Sequence, residues 1–272
     1  MRAKIVLCRF VFLVVAGLWC GMGFCVSPST TETVLLKTMA FAVQDVLNRM
    51  DDNVANAAKN VPADGLNSTA SLSVLSDLYR KQKGVVDCCT INAKGTIVLA
   101  QPDEYRKIEG ADISTHEHIV QLHAYKKPVM SSVFMSVEGF PAVDIQHPIM
   151  NSTGQLTGSL SLLFKPAEYI APIVDLALGA TGYTCWIMQK DGYILYDTDP
   201  KQVGLDLFMA PMYKPYGDLL RLGKRIVKES SGEGEYRFLR LGTKVPINKQ
   251  CWWTTISLHG QEWRVVVVKP FI

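Results

Sequence analysis

From residue 31 onward, apolar side chains return at every third or fourth position: Leu36, Met39, Val43, Val46, Met50, Ala57 and Val61. That spacing predicts an amphipathic helix over Thr31–Asn60, with a heptad-like stripe on which Asn53 falls, ended by Pro62 and Gly65. At ~1.5 Å per residue the helix would run about 45 Å, long for one small domain and suited to a spine for two. Leu72, Leu75, Leu78 and Tyr79 predict a second helix over 71–83, ending at Gly84. A strand-rich block comes next, with strands over 85–91, 96–100, 129–137, 142–149 and 156–164 and a helix over 115–127 in the middle connection. A short helix over 169–178, interrupted at Pro172, leads to a second block. Its strands are predicted at 184–188, 193–197, 235–241, 251–258 and 262–268, with a helix inside 211–228. Each block reads β-β-α-β-β-β, a five-stranded antiparallel sheet with a helix in its middle connection.

The two blocks repeat one another in detail. The first carries Asn92-Ala93-Lys94-Gly95, a strand, Pro102, then Gly110-Ala111-Asp112-Ile113. The second carries Gln189-Lys190-Asp191-Gly192, a strand, Pro200, then Gly204-Leu205-Asp206-Leu207. Asp191-Gly192 is a strong hairpin signal. In each Gly-x-Asp, glycine permits a sharp turn and the aspartate can cap the turn or helix beyond it. The closing strands also agree, ending at Lys165-Pro166 and at Lys269-Pro270.

Charge adds little once its location is known. The formal net charge of +3 is matched by Arg2, Lys4 and Arg9 alone, so the body is neutral and no basic field favours nucleic acid. Those residues precede the uncharged run Phe10–Val26, which reads as a signal peptide or an N-terminal membrane anchor. The residues before Cys20 and Cys25 do not match a lipobox. The body is therefore expected outside the cytoplasm, secreted or tethered to the membrane by residues 1–27. Cys88, Cys89, Cys185 and Cys251 lack the spacing of a zinc, redox or haem site and read as small buried residues, with one disulfide open. The sequons at Asn67 and Asn151 are compatible with export. The expected organisation is a leader over 1–27, spine helices over 28–83, a first module over 84–168 and a second over 169–272.

Taken in order, the doubled turn–strand–Pro–Gly-x-Asp units resemble the double Cache family of extracellular sensor domains, PAS-like modules of chemoreceptors and sensor kinases. Lys127-Pro128-Val129 with Ser131, Pro148-Ile149 before Gly154 and Gly158, and Trp252 with Trp263 fit the same resemblance, which covers Thr31 to Val268. The style is similar to exported archaeal, methanogen-type members. The resemblance implies an α+β fold of two tandem PAS-like modules on a long N-terminal helix. It also implies an extracytoplasmic small-molecule sensor and no enzyme. Family receptors continue into a membrane helix and an output domain, whereas here Lys269-Pro270-Phe271-Ile272 comes after the last strand, so a separate membrane signal transducer is the expected partner. The alternative is a structural or surface-interaction protein whose Cache fold has lost its pocket. The heptad-like stripe suits a homodimer seam or internal packing. The Arg-x-Trp-Tyr cluster of amino-acid-binding members is not found, so amino-acid sensing is not implied.

In the family the ligand lies in the first module, between the sheet and the helix-side loops. Carried over, this selects Tyr105, Asp112, His123, Tyr125, Ser131 and Asp144. Asp144 interrupts an apolar strand, where an unpaired carboxylate is costly and an amine or cationic ligand would relieve the cost; the bland reading is a bond to a loop amide or contact with water. Tyr196 and Asp197 are the second-module candidates. Tyr183, Trp186, Tyr193, Trp252, Trp253 and Trp263 read mainly as sheet core. His116, His118, His123 and His147 read as scattered exposed histidines, so no metal and no cofactor is expected. No Gly-x-Ser-x-Gly, phosphate loop or Cys–His signature points to catalysis.

Overall fold

The computed structural model describes residues 31–82 and 84–270. The leader segment, and with it the choice between signal peptide and anchor, lies outside the described residues. Among those residues no helix is long and apolar enough to cross a membrane.

Helix α1 (Thr31–Asn60) has the expected bounds. Its buried face is Leu36, Met39, Ala40, Val43, Leu47, Met50, Val54 and Ala57. Val46 and Asn53 sit beside this stripe rather than on it, since Leu47 and Val54 take the inward positions. Helix α2 (Thr69–Lys81) is capped by Ser68, whose Oγ accepts a hydrogen bond from Ser71 N–H at 3.2 Å.

The first sheet contains β1 (Val85–Asn92), β2 (Ile97–Gln101), β3 (Val129–Met130), β4 (Phe134–Met135), β5 (Pro141–Met150) and β6 (Leu156–Phe164). Its order is β2-β1-β6-β5-β3, with β4 also on β5. Six strands replace the five expected because the predicted strand over 129–137 breaks at Ser131–Val133 into two short pieces. Helix α3 (Glu117–Tyr125) is shorter than predicted, ending where Lys126 turns left-handed at φ 52°. Helix α4 (Pro166–Leu178) runs through Pro172 to the second sheet. That sheet contains β7 (Thr184–Gln189), β8 (Ile194–Asp197), β9 (Gly232–Leu239), β10 (Pro246–Leu258) and β11 (Gln261–Pro270), in the order β8-β7-β11-β10-β9. Helix α5 (Gly217–Lys228) lies in its long connection.

The repeat is one hydrogen-bonding device used twice. Ile97 N–H bonds Ala111 O at 3.0 Å and Ile194 N–H bonds Leu205 O at 2.8 Å. Gly95 O accepts from Ile113 N–H, and Gly192 O from Leu207 N–H. Both glycines have positive φ, 82° and 103°, which their turns require. Asp112 Oδ1 then caps Ser114 N–H at 2.9 Å, as Asp206 Oδ1 caps Phe208 N–H at 2.7 Å.

Helix α1 packs on one face of each sheet, and its stripe joins Val143, Ile145 and Leu160 of the first to Ile187, Val265 and Val267 of the second in a single core. The stripe is thus spent inside the chain, and a homodimer seam on this face is not available. Side-chain bonds reinforce the spine. Gln44 bonds both Ser257 N–H and Ser257 O at 2.9 Å, while the Glu32 carboxylate accepts from Tyr183 Oη and Lys269 Nζ, each at 2.7 Å. The other face of each sheet has its own cluster, under α5 in the second and under α3 and loops in the first. Cys88, Cys89, Cys185 and Cys251 are all free and buried, so none pairs in a disulfide.

Met50 is 1% exposed whereas Phe41, on the outer face of the same helix, is 74% exposed. Met50→Ala is expected to lower the unfolding free energy in urea by about 2–5 kcal/mol, and Phe41→Ala by no more than ~0.5 kcal/mol. The hydrogen bonds from Lys269 and Tyr183 lower the Glu32 pKa from 4.5 to about 2. A depressed carboxyl stabilises the fold above its unfolded pKa and loses that contribution as pH falls through the folded one. Melting temperatures of wild type should therefore drop more steeply between pH 4.5 and 2 than those of Glu32→Gln.

Candidate ligand-binding site

Register assigns one face of the first sheet to chemistry rather than packing. Asp144 lies opposite Leu163, and Gln146 opposite Ser161, which in turn pairs with Cys89 of β1. Residues directly opposite share a face. Asp87, Ser159, Ser161, Asp144 and Gln146 therefore all point away from α1, and each is buried. The segment 131–140 and the start of α3 cover them. Phe134 stands against the rings of His116 and His118, with centroids 5.3 and 4.7 Å away.

A small cavity, about 30 Å³, lies beneath this cover among Asp87, His116, His118, Glu138, Asp144 and Ser161. A chamber of about 160 Å³ adjoins it, sharing His116, His118 and Phe134 and reaching Ser131 and Gln261. Asp144 is 2% exposed. Its Oδ1 accepts from Ser161 Oγ at 2.6 Å, its Oδ2 lies 3.4 Å from His118 Nε2, and its backbone N–H donates to Ser131 Oγ at 2.9 Å. It faces neither water nor a loop amide. Asp87 is less well served: one oxygen takes only a thiol hydrogen bond from Cys89 at 3.3 Å and the other has no partner. Burial, with Glu138 nearby, pushes the Asp87 carboxyl well above the usual range. Burial, with His118 nearby, lowers the pKa of His116.

Four partnerless polar atoms belong to this lining: Asp87 Oδ2, Glu138 Oε2, Ser136 Oγ and His116 Nδ1 are buried without a hydrogen bond, and on the same sheet face Ser159 Oγ and both amide atoms of Gln146 are likewise unpaired. Buried polar groups are normally satisfied, so such a group of exceptions marks a place for water or ligand. Among the described residues no lysine or arginine lines the cavity.

The second module contrasts with this. Its cavity, also about 30 Å³, holds Asp197, Gln202, Tyr213 and Lys249. Burial pushes the Asp197 carboxyl up to about 7, against the pull of the Asp199 backbone amide and Lys249. Lys249 also lies over the rings of Tyr236 and Phe238. This pocket supplies its own counter-charge. A wider groove of about 690 Å³, running from Val174 on α4 to Pro270, carries no buried unpartnered charge and is not where the chemistry gathers.

Of the residues expected from sequence, the structure brings Ser131 and Asp144 together by a hydrogen bond, Asp144 lining the first cavity and Ser131 the adjoining chamber. It does not bring the others there. Asp112 is an exposed turn cap and Tyr125 is 71% exposed. Tyr105 is half-buried between two small apolar clusters, and His123 is half-buried on α3. Tyr196 and Asp197 face opposite sides of their sheet, Tyr196 entering the α1 core and Asp197 the second cavity. The histidines are not scattered and exposed: His118 and His147 are buried, at 4% and 9% exposure. Asp87, Glu138 and His118 were missed. Asp87 lies on the same face as Cys89 in an eight-residue strand buried at all but its last position, a signal comparable to that of Asp144.

Residues 45–166 match the family described as HK/GC/Chemotaxis protein-like, sensor domain. The matched stretch is similar to a sensor domain. It contains the whole first cavity. An extracellular ligand-binding receptor from Desulfohalobium retbaense is 28% identical over 87% of this chain, with a TM-score of 0.74. The chain spans only 40% of that receptor's length. The periplasmic sensory domain of the Campylobacter jejuni chemoreceptor Tlp1 (14% identical, TM-score 0.61) covers 88% of this chain and 95% of its own. The ligand-binding domain of the Pseudomonas aeruginosa amino-acid chemoreceptor PctB, in complex with L-Arg, is 16% identical with a TM-score of 0.61 over 87% of this chain and 92% of its own. At such identities the last two show the fold alone, two tandem PAS-like modules. These bacterial proteins lend nothing to the archaeal resemblance. No curated protein matches the chain.

A raised carboxyl pKa works against folding as pH rises: the stability it contributes is complete below the unfolded pKa and is lost above it. Asp87→Asn should accordingly melt higher than wild type at neutral pH, the gap closing below about pH 4. Equal melting temperatures at neutral pH would show that Asp87 carries no such burden.

Proposed function

We propose that this chain is an extracytoplasmic sensor domain whose first module binds a small amine, with Asp144, Asp87 and Glu138 opposing its positive charge. The observation that carries this reading is the buried face on which three carboxylates converge with no lysine or arginine among the lining residues. An ammonium group donates three hydrogen bonds and brings the missing charge. PctB is an amino-acid chemoreceptor; here a cation that would hold a ligand carboxylate is lacking from the cavity lining, which favours an amine without an acid group. Entry requires Phe134 to swing out, joining the inner cavity to the 160 Å³ chamber.

The cover of the cavity is also tied to the second module. Val133 N–H bonds Gln189 Oε1 at 2.8 Å, and Ser132 Oγ bonds Gln261 Oε1 at 3.2 Å. A shift of the cover on binding pulls directly on β7 and β11. Delivery of that signal to a membrane transducer, and tethering by the N-terminal segment, belong to the same proposal. A homodimer would use the outer face of α1, where Val34 and Phe41 are exposed. A pocketless scaffold is the second reading, favoured by an inner cavity that holds about one water at 30 Å³.

The test is a thermal-shift screen against amines, amino acids and carboxylates. A ligand at a hundred times its Kd stabilises by about 2.7 kcal/mol. At least one amine should raise the melting temperature of wild type, and Asp144→Ala should remain folded yet show no shift. Stabilisation by carboxylates alone would overturn the ligand class, and a flat screen would favour the scaffold.

A further inference from the structure

A second cluster of ligating side chains lies on the other face of the first sheet, where the two modules meet the spine. Asp51 belongs to α1, His147 to β5, and His259 to the turn between β10 and β11. Both imidazoles approach the same oxygen: His147 Nε2 and His259 Nε2 each lie 2.6 Å from Asp51 Oδ1. One donor atom from each of the three residues falls within 4.8 Å of the others.

We propose that Asp51, His147 and His259 bind a divalent metal ion of the zinc class, which pins both modules to α1. Two imidazole nitrogens and one carboxylate oxygen are a donor set that zinc accepts, whereas calcium and magnesium call for oxygen alone. In a tetrahedral zinc site with bonds near 2.0–2.1 Å, neighbouring donor atoms stand about 3.3 Å apart. Each imidazole therefore needs to retreat from the carboxylate by less than about 1 Å to admit the ion. Each neutral ring would carry its proton on Nδ1 and offer the Nε2 lone pair.

The surroundings fit a built site. His147 is the polar residue on a β5 face otherwise formed by Val143, Ile145 and Ile149. His259 adopts a left-handed backbone, φ 48°, one residue before Gly260, and so holds its ring toward α1. That conformation is uncommon for a side-chain-bearing residue and tolerated best by Asn, Asp and His. Gln44, two turns earlier on α1, bonds the backbone of Ser257 and fixes the same hairpin. The Asp51, His147 and His259 side chains are 17%, 11% and 21% exposed, leaving an opening through which water can occupy a fourth position. The three residues are far apart in sequence, so no local spacing announces the set.

The experiment is calorimetric titration of zinc chloride into the untagged chain after treatment with a chelator. One zinc per chain is expected, with a rise in melting temperature. His259→Asn, which keeps the left-handed turn, should weaken binding about tenfold or more, as should His147→Asn if the first variant fails to fold. Cobalt substituted for zinc should give ligand-field bands without thiolate charge transfer, separating this site from the cysteines. Asp144→Ala should bind zinc as wild type does, so the outcome is independent of the amine reading. No zinc bound by wild type, a thiolate spectrum, or less than about a tenfold loss in the folded variant would overturn the proposal.

Discussion

Neither sheet covers its inner face without α1. Leu36, Met39, Val43, Leu47, Met50 and Val54 supply one continuous apolar surface, and both sheets lay their inner residues upon it. At about 25 cal/mol per Å² of buried apolar surface, this layer is a favourable term joining the modules. The hydrogen bonds of Gln44 and Glu32 set register and angle on top of that attraction. Because the core passes from one sheet to the other without a break, neither module can rotate without disturbing packing along the helix.

With the inner faces committed to the spine, the outer faces are where the repeats diverge. In the second module α5 closes over Trp186, Trp253, Tyr236 and Phe238, and Lys249 accompanies Asp197 inside. In the first, a short helix and the 131–140 segment cover a surface of carboxylates, serines and an amide whose bonding capacity is partly unused. The two repeats thus differ: one cavity pairs its carboxyl with a lysine, and the other gathers carboxyl groups with no lysine or arginine in its lining.

The architecture was legible because it rests on local periodicity and turn chemistry. The three-and-four spacing from Leu36 to Val61 gave α1 its observed bounds, and the doubled Gly-x-Asp announced two copies of one unit. The break at Ser131–Val133 was not legible, since serines within a stretch rich in Val, Met and Phe read as part of one strand whether or not the backbone bends to bond Gln189. The site was half legible. Asp144 could be singled out as a charge inside an apolar strand, but its partners His118 and Ser161 arrive through sheet register and helix placement, which single-residue patterns do not encode. Asp112 caps Ser114 N–H in the fold, and in sequence a capping aspartate and a binding aspartate are the same residue type beside the same glycine. Asp51, His147 and His259 share no local pattern at all.

The bond of Glu32 to Lys269 places the first turn of α1 beside the final strand. Entry and exit of the described chain therefore lie at one pole, on the second module, while the cavity of Asp87, Glu138 and Asp144 belongs to the first. At that pole the first turn of α1 and the end of β11 lie side by side, joined through Glu32. A displacement of α1 against the second sheet would therefore register at that pole as a change in the offset or angle between those two.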